Sequence, residues 1–511
     1  MNSYSERKKN LEQGNQIVFL HLPKTAGTTL RYIIDSHFAE SDICPLYNRS
    51  EFEGINSQSI DEFQYTRGHI PYELLEKIIT SKRTWITMLR DPIKRYISQF
   101  YFLQAKPVTL PTLCVRYTED DVQTFSSMTL SEFVNSPSFI FNLASRDVQA
   151  RWLATTINFD SPDEWLHAFN ESLTRETDIN IDLGLERLSG FDLIGLTERF
   201  QDSLFMLSYF FGWPPVLRAG KLNVTTGKPR RDDLSKSIVD RIVELNVSDQ
   251  LLYDHAKQIF DKRFKQMSHV LLEQYGKNRH AHIKLPLSPE LMFELLEDHY
   301  EQCYSERHHA QHRFHFTFDQ GVMGNNWYSV EEHPRYGKYR WTGPGRYSTI
   351  DVPVTVNAVG CRVEFSVVAS ITPEILSSFK LLANEEVVSL EKSYNQSGQA
   401  IFTGIIQPSK NNRKNTFLRL TFEVEKSIAP ITLNATIKDE RPVGLALDRL
   451  DLYPTEEKGW FRQESRDGQA YQKLMTSYEK ARDWAHALES NLQNKDMEIL
   501  ELTKKLQAKE E

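Results

Sequence analysis

The first half of the chain alternates short apolar runs with stretches of helical periodicity. Three runs have the length and composition of buried strands: IVFLHL (17–22), TWITMLR (84–90) and FDLIGLTERF (191–200). The first two are followed at once by helical patterns at 28–38 and 91–104. Strands that alternate with helices predict a parallel sheet flanked by helices, with ligands at the carboxyl ends of the strands. We therefore expect an α/β domain over residues 16–275.

The pattern changes twice after this domain. Residues 276–313 carry a helical pattern that begins after Ser288, a suitable capping residue, and they read as a helical connector. From 314 to 456, short alternating runs are separated by polar, glycine or proline turns. Such a pattern predicts an all-β domain, either a sandwich or a jelly roll. The polar residues 1–15 are expected to be a disordered N-terminus.

The last segment, 465–511, returns to a helical pattern. Ten positions from Leu474 to Leu506 are spaced alternately by four and three residues, and only Lys495 among them is polar. This spacing predicts a C-terminal coiled coil and hence a homo-oligomer. A single amphipathic helix docked on its own chain is the alternative.

Composition narrows the function classes. The 511 residues are 40% hydrophobic and 25% charged, with a formal net charge of −8, so no global basic field for nucleic acid exists. The four cysteines show no C-x-x-C spacing, and no metal site is expected. Neither an apolar run of about 18 residues nor a secretion signal occurs. We therefore expect no nucleic-acid partner, no membrane span and a cytoplasmic location.

The loop HLPKTAGTTL (21–30) joins the first strand to the first helix. Gly27 allows close backbone approach to an anion, and Thr28 and Thr29 are suited to cap the helix, whose N–H groups and dipole favour negative charge. The lysine of a Walker A loop follows the last glycine, whereas Lys24 precedes Gly27 by three residues. The loop therefore disfavours a nucleotide kinase. Lys24 is instead placed to neutralise charge on a leaving phosphate.

A second anion motif follows the next strand, in LRDPIKRYISQF (89–100). Arg90 ends the strand and suits bidentate phosphate recognition, while Ser98 lies two helical turns further on. Two anion sites on adjacent strand–helix units suit a nucleotide with phosphates on both its 5′ and 3′ sides. ATP would need only one of them.

Together, HLPKTAGTTL and RDPIKRYISQF resemble the two cofactor motifs of sulfotransferases that use 3′-phosphoadenosine-5′-phosphosulfate (PAPS), closest to the heparan sulfate 2-O-sulfotransferase-like branch. The segments GLTERF (195–200) and LNVT (222–225) resemble the same branch. The resemblance covers about 17–270 and implies a P-loop-like α/β fold that transfers a sulfuryl group from PAPS to a glycan hydroxyl by in-line displacement. It implies that Arg90 and Ser98 bind the 3′-phosphate. The residues that would hold the 5′-phosphosulfate are Lys24, Thr25, Ala26, Gly27, Thr28 and Thr29.

The acceptor hydroxyl needs a general base, and His69 in TRGHIPY (66–72) is the candidate. The related enzymes carry a catalytic histidine in a similar G-H context, often with a second histidine two residues earlier, where this chain has Arg67. The alternative is that His69 is a capping or core histidine.

Weaker signals leave several alternatives open. Arg151, near Gln149, suits either an acidic sugar or an ion pair, and the basic loop with Lys228 and Arg230 suits either nucleotide closure or solvent. The pair His308 and His312 has metal-ligand spacing, but His309 between them and the sequence beyond supply no recognised third ligand.

The all-β segment resembles a β-sandwich module of bacterial glycan-modifying transferases. It concentrates aromatic residues that suit either sugar stacking or core packing: Trp327, Tyr328, Tyr336, Tyr339 and Trp341. Two whole-protein alternatives to a sulfotransferase remain, namely a nucleotide-dependent kinase of P-loop-like fold and an inactive glycan-binding scaffold.

Overall fold

The structure of the protein is a computed structural model. It describes residues 15–47, 60–105, 123–124, 127–137, 145–156, 179–217, 229, 231–277, 279–280, 282–354, 360–408 and 417–455. The predicted coiled coil (465–511), Lys228, Arg230, the LNVT segment and all but the last residue of the predicted disordered N-terminus lie outside these residues. The coiled coil and the homo-oligomer therefore stay predictions.

The N-terminal domain is built on a parallel sheet of four strands. They are β1 (Gln16–Leu20), β2 (Tyr65–Gly68), β3 (Arg83–Leu89) and β4 (Leu193–Leu196), in the order β2-β1-β3-β4. Strand β2 therefore lies on one side of β1, and β3, the next strand along the chain, lies on the other. In open α/β sheets such a reversal leaves a crevice at the carboxyl ends of the two central strands, here β1 and β3. The predicted parallel α/β class is confirmed, and β2 is a strand that the hydrophobic pattern did not predict.

Ten helices of the described residues surround this sheet or extend from it. They are α1 (Gly27–Asp35), α2 (Tyr72–Ile78), α3 (Pro92–Ala105), α4 (Leu130–Asn135), α5 (Val148–Ala154), α6 (Ile181–Ser189), α7 (Phe200–Phe211), α8 (Lys236–Glu244), α9 (Val247–Leu271) and α10 (Pro289–Arg307). None of the helices in the described ranges is long and apolar enough to cross a membrane.

Helix α10 occupies the predicted connector. Its cap is the predicted one, since Ser288 Oγ accepts a hydrogen bond from the Leu291 amide at 3.2 Å. Met292, Leu295 and Leu296 are buried in the same apolar core as the sheet. Burying a side chain of this size stabilises a fold by about 1.5–3 kcal/mol. The helix is therefore packed into the first domain as well as linking it to the second.

The C-terminal domain consists of antiparallel sheets. One sheet contains β8 (Tyr347–Val352), β10 (Lys380–Ala383), β11 (Glu386–Val388) and β14 (Leu418–Glu423). The other contains β5 (Phe314–Thr317), β6 (Glu331–His333), β7 (Gly337–Trp341), β9 (Cys361–Ser370), β12 (Leu390–Tyr394), β13 (Ala400–Ile406) and β15 (Leu445–Pro454).

The two sheets of this domain share one apolar core. Phe365 of β9 and Phe422 of β14, from opposite sheets, have ring centroids 5.2 Å apart. An apolar core lined by residues of two facing sheets is the arrangement of a β-sandwich. Two short helices, α11 (Pro373–Ser378) and α12 (Pro430–Leu433), interrupt the strands.

Candidate active site

The loop between β1 and α1 owes its shape to two residues with left-handed backbone. Lys24 has φ 67° and Ala26 has φ 65°, conformations that side-chain-bearing residues seldom adopt. Ala26 is the N-cap and provides no side-chain cap, so the helix begins at Gly27. The capping role predicted for Thr28 and Thr29 is wrong, because both lie inside the first helical turn. The N–H groups in the first turn of a helix are the ones that can bind an anion, and in α1 this turn directly follows the loop.

Thr25 stabilises this loop through two hydrogen bonds. Its buried hydroxyl donates to the Leu22 carbonyl at 2.8 Å, so the side chain stabilises the turn. Its own carbonyl accepts a hydrogen bond from the Thr197 hydroxyl at 2.7 Å. Thr197 also lies 3.1 Å from the Leu89 carbonyl, at the end of β3. The end of β4 therefore ties the loop to its neighbouring strand.

Gly27 is required by a close approach that the sequence did not reveal. A Cβ at this position would lie 2.0 Å from Cδ2 of His21. The buried His21 ring therefore occupies the space beside the loop, and its Nδ1 shares a short hydrogen bond with the Tyr47 hydroxyl. His21 is a functional candidate that sequence reasoning missed, although it lies in the same motif.

Arg90 joins the second strand–helix unit to the first. Its Nη1 donates to the Lys24 carbonyl at 3.0 Å. Its backbone is held by the fully buried Gln149, whose Oε1 accepts from the Arg90 N–H and whose Nε2 donates to the Arg90 carbonyl, both at 2.9 Å. Burial lowers the pKa of Arg90. Its buried Nε has no hydrogen-bond partner among the described residues, as expected of a group placed to receive an anion.

Two further predicted residues, Lys24 and Ser98, are both connected with α3. The Lys24 ammonium is 3.7 Å from the centroid of the Phe102 ring on α3, a cation–π contact. Ser98, also on α3, is only 2% exposed. The structure thus brings Lys24, Arg90 and α3 together at the crevice between β1 and β3.

His69 follows the last residue of β2 and so lies beside the loop. Its Nδ1 is 2.7 Å from the His21 carbonyl. Because a carbonyl only accepts, Nδ1 carries the proton and Nε2 is left as a proton acceptor. The two imidazole centroids are 4.3 Å apart. Burial, with smaller contributions from Arg31 and Lys24, lowers the pKa of His69 to about 4. The ring is therefore neutral at neutral pH, as a base must be.

Several of the residues with weaker signals make contacts within the protein. Arg67 donates from Nε to Asp35 at 3.2 Å and from Nη1 to the Cys44 carbonyl at 2.7 Å. Arg151 is buried and donates from Nε to the Arg146 carbonyl at 3.2 Å. Trp327 and Tyr328 are buried, which favours core packing over sugar stacking for these two.

Helix α10 ends at Arg307, so His308 and His312 do not share a helix face. Across the described part of the chain, no group of three or more His, Cys, Asp or Glu side chains is placed to hold a metal ion.

Comparison with known proteins adds a similarity to one family. Residues 10–256 match the family model described as the sulfotransferase family. This match covers just under half of the chain and almost all of the α/β domain. The match stops short of the all-β domain, whose resemblance to a transferase-associated module is not confirmed.

Curated relatives that match this chain include heparan-sulfate 6-O-sulfotransferases. Isoform 1-B of Danio rerio is 26% identical over 52% of this chain and 71% of its own length. Isoform 2 of Gallus gallus is 24% identical over 54% and 74%, and isoform 1 of Homo sapiens is 25% identical over 49% and 66%. These names support a carbohydrate sulfotransferase, and the finer resemblance to the 2-O branch is not confirmed.

Proposed function

We propose that the protein transfers a sulfuryl group from PAPS to a hydroxyl of a glycan. The observation that carries this proposal is the meeting of three groups at one crevice. Arg90, from the end of β3, donates to the Lys24 carbonyl in the loop after β1. His69, at the end of β2, donates to the His21 carbonyl at the start of the same loop. A donor site and a candidate base thus share one loop.

The residues present fit a doubly phosphorylated nucleotide. The first-turn amides of α1 suit the 5′-phosphosulfate, together with the loop residues Lys24, Thr25, Ala26, Gly27, Thr28 and Thr29. The unpartnered Nε of Arg90 suits the 3′-phosphate. Ser98 is the weaker member of that pair, since its side chain is almost fully buried.

PAPS, when bound, supplies an activated sulfuryl group. Lys24 then neutralises charge that develops on the phosphate side of the breaking bond, and fixed donors of this kind contribute about 3 kcal/mol or more. His69 Nε2 accepts the proton of the acceptor hydroxyl. The arrangement of loop and base suits an in-line displacement, in which positioning supplies much of the rate.

A glycan acceptor is supported by the names of the relatives, which act on heparan sulfate. A panel of acidic and neutral polysaccharides, incubated with labelled PAPS, identifies the sugar and the hydroxyl position that this protein modifies.

The test is sulfate transfer by wild type and by His69→Ala. We expect transfer by wild type and a kcat about 10²–10⁴ lower in His69→Ala, with binding of 3′-phosphoadenosine-5′-phosphate (PAP) retained. His315→Ala is the control, because that side chain is exposed on the all-β domain. Full activity in His69→Ala removes His69 from the mechanism. No transfer to any glycan by wild type overturns the proposed function.

A further inference from the structure

The carboxyl end of α1, the helix that begins at the donor loop, is attached to the all-β domain. The Val322 amide donates to the Ser36 carbonyl at 2.7 Å, and the Glu40 amide donates to the Asp319 carbonyl at 3.0 Å. His37 Nδ1 lies 3.0 Å from the Val322 carbonyl. Backbone hydrogen bonds therefore cross between the two domains.

Arg340 of β7 reinforces the same junction. Its side chain is fully buried, and its Nη2 donates to the Phe38 carbonyl, just after α1, at 2.7 Å. The same guanidinium donates to the carbonyls of Phe318, Tyr328 and Gln320. One buried cation therefore holds both the end of α1 and the turn that contacts it, and each of these carbonyls would be costly to leave unpaired.

Asp35, the last residue of α1, extends this junction to the strand of the candidate base. Its carboxylate accepts from the Ser329 hydroxyl of the all-β domain at 3.1 Å and from Arg67 Nε at 3.2 Å. Arg67 lies on β2, two residues before His69. A single carboxylate, 1% exposed, thus joins the donor helix, the all-β domain and the base-bearing strand.

The junction has no spare room. A Cβ at Gly321 would lie 2.3 Å from the His37 carbonyl oxygen. The turn of the all-β domain therefore touches the backbone beyond α1 directly, and a single added methyl group must displace one side or the other.

We propose that the all-β domain is a positioning element of the active site: through Ser329, Arg340 and the turn at Gly321, it fixes α1 and thereby the distance from the donor loop to His69. The nine-residue α1 is about 13 Å long and transmits a shift at one end to the other. A misplacement of about 1 Å can cost about 10² in rate. This role rests on the proposed sulfotransferase function.

The test uses two changes at the junction of the full chain, each with a control of the same kind inside the all-β domain. Gly321→Ala inserts a methyl group at the junction, whereas Gly404→Ala inserts one beside the Ser389 carbonyl, 2.8 Å away, within the all-β domain. Ser329→Ala removes the hydroxyl that bonds Asp35, whereas Ser366→Ala removes one that bonds Asp448 inside the all-β domain. PAP affinity, the KM for PAPS, kcat and the melting temperature are measured for all four.

We expect Gly321→Ala to weaken PAP binding and kcat/KM for PAPS about tenfold or more, and Ser329→Ala about threefold. The controls should keep wild-type PAP affinity at temperatures well below their melting transitions, even where stability falls. Ser329→Thr, which keeps the hydroxyl, should retain most of the affinity. Equal PAP affinity in Gly321→Ala and Gly404→Ala overturns the positioning role. Failure of wild type itself to bind PAP overturns the proposed function instead.

Discussion

The two strand–turn–helix units that face the crevice build their proposed anion sites in different ways. The β1–α1 unit relies on backbone, since Lys24 and Ala26 have positive φ and α1 begins directly after Ala26. The β3–α3 unit relies on a side chain, that of Arg90, whose backbone is fixed by Gln149 from α5. A backbone site takes its shape from local conformation, whereas a side-chain site depends on a distant helix. The two units should therefore respond differently to substitution.

Of the changes that compare the two units, Lys24→Ala in the β1–α1 unit is expected to have the largest effect. Because the ammonium stabilises charge that develops only during transfer, kcat should fall about 10²–10³-fold while PAP affinity changes much less. Single-turnover sulfate transfer and calorimetric PAP titration separate the two effects. The control is Lys94→Ala, an exposed lysine on α3. A large loss of PAP affinity with unchanged kcat would show that Lys24 only binds the nucleotide.

The second largest effect is expected in the β3–α3 unit, where Gln149 holds the backbone of Arg90. Gln149→Met removes both hydrogen bonds to the Arg90 backbone and should cost about 1–3 kcal/mol of unfolding free energy, because two buried groups lose their partner. PAP affinity should fall together with the free energy of unfolding. Urea unfolding checks the first result. Gln104→Met, which removes a single bond to the Met128 carbonyl, is the control. If PAP affinity is unchanged, Arg90 does not depend on α5.

The smallest effect concerns the pH dependence of stability. It distinguishes His37, at the domain junction, from His69, in the candidate active site. Burial lowers the pKa of His37 to about 3 and that of His69 to about 4. Since the unfolded chain takes up these protons below about pH 6.5, stability should fall from pH 6.5 toward pH 4, by about 1–2 kcal/mol per histidine at pH 5.

His37→Gln isolates one histidine in this pH dependence. Urea unfolding at pH 5 and pH 8 should show a smaller difference in this variant than in wild type. The comparison is needed because Asp147, whose pKa is raised to about 6 by burial and by Asp249, acts in the opposite direction. An unchanged difference would contradict the buried, neutral state of His37.

The sequence predicted the two central units because each combines a long apolar strand, a distinctive turn and a periodic helix. It did not predict β2, since YTRG is only four residues long and contains arginine and glycine, with no clear alternation. That strand places His69 beside the loop, so the identity of the candidate base was inferred without the element that positions it.

Other features depend on contacts between residues far apart in the chain. Gln149 and Arg90 are 59 positions apart, and Arg340 and Phe38 are 302 positions apart. No periodicity or motif reports such pairs. The packing of His21 against Gly27 is closer in sequence, but it follows from the left-handed residues of the loop, which no residue type there demands.

The central claim is that the β1–α1 and β3–α3 units together bind a nucleotide that carries phosphates on both its 5′ and 3′ sides. The most direct measurement is calorimetric titration of PAP and of ADP against wild type and Arg90→Ala at one ionic strength. The account predicts that wild type binds PAP about 10–100 times more tightly than ADP and that Arg90→Ala loses most of this preference. Equal affinity of wild type for the two nucleotides would contradict it.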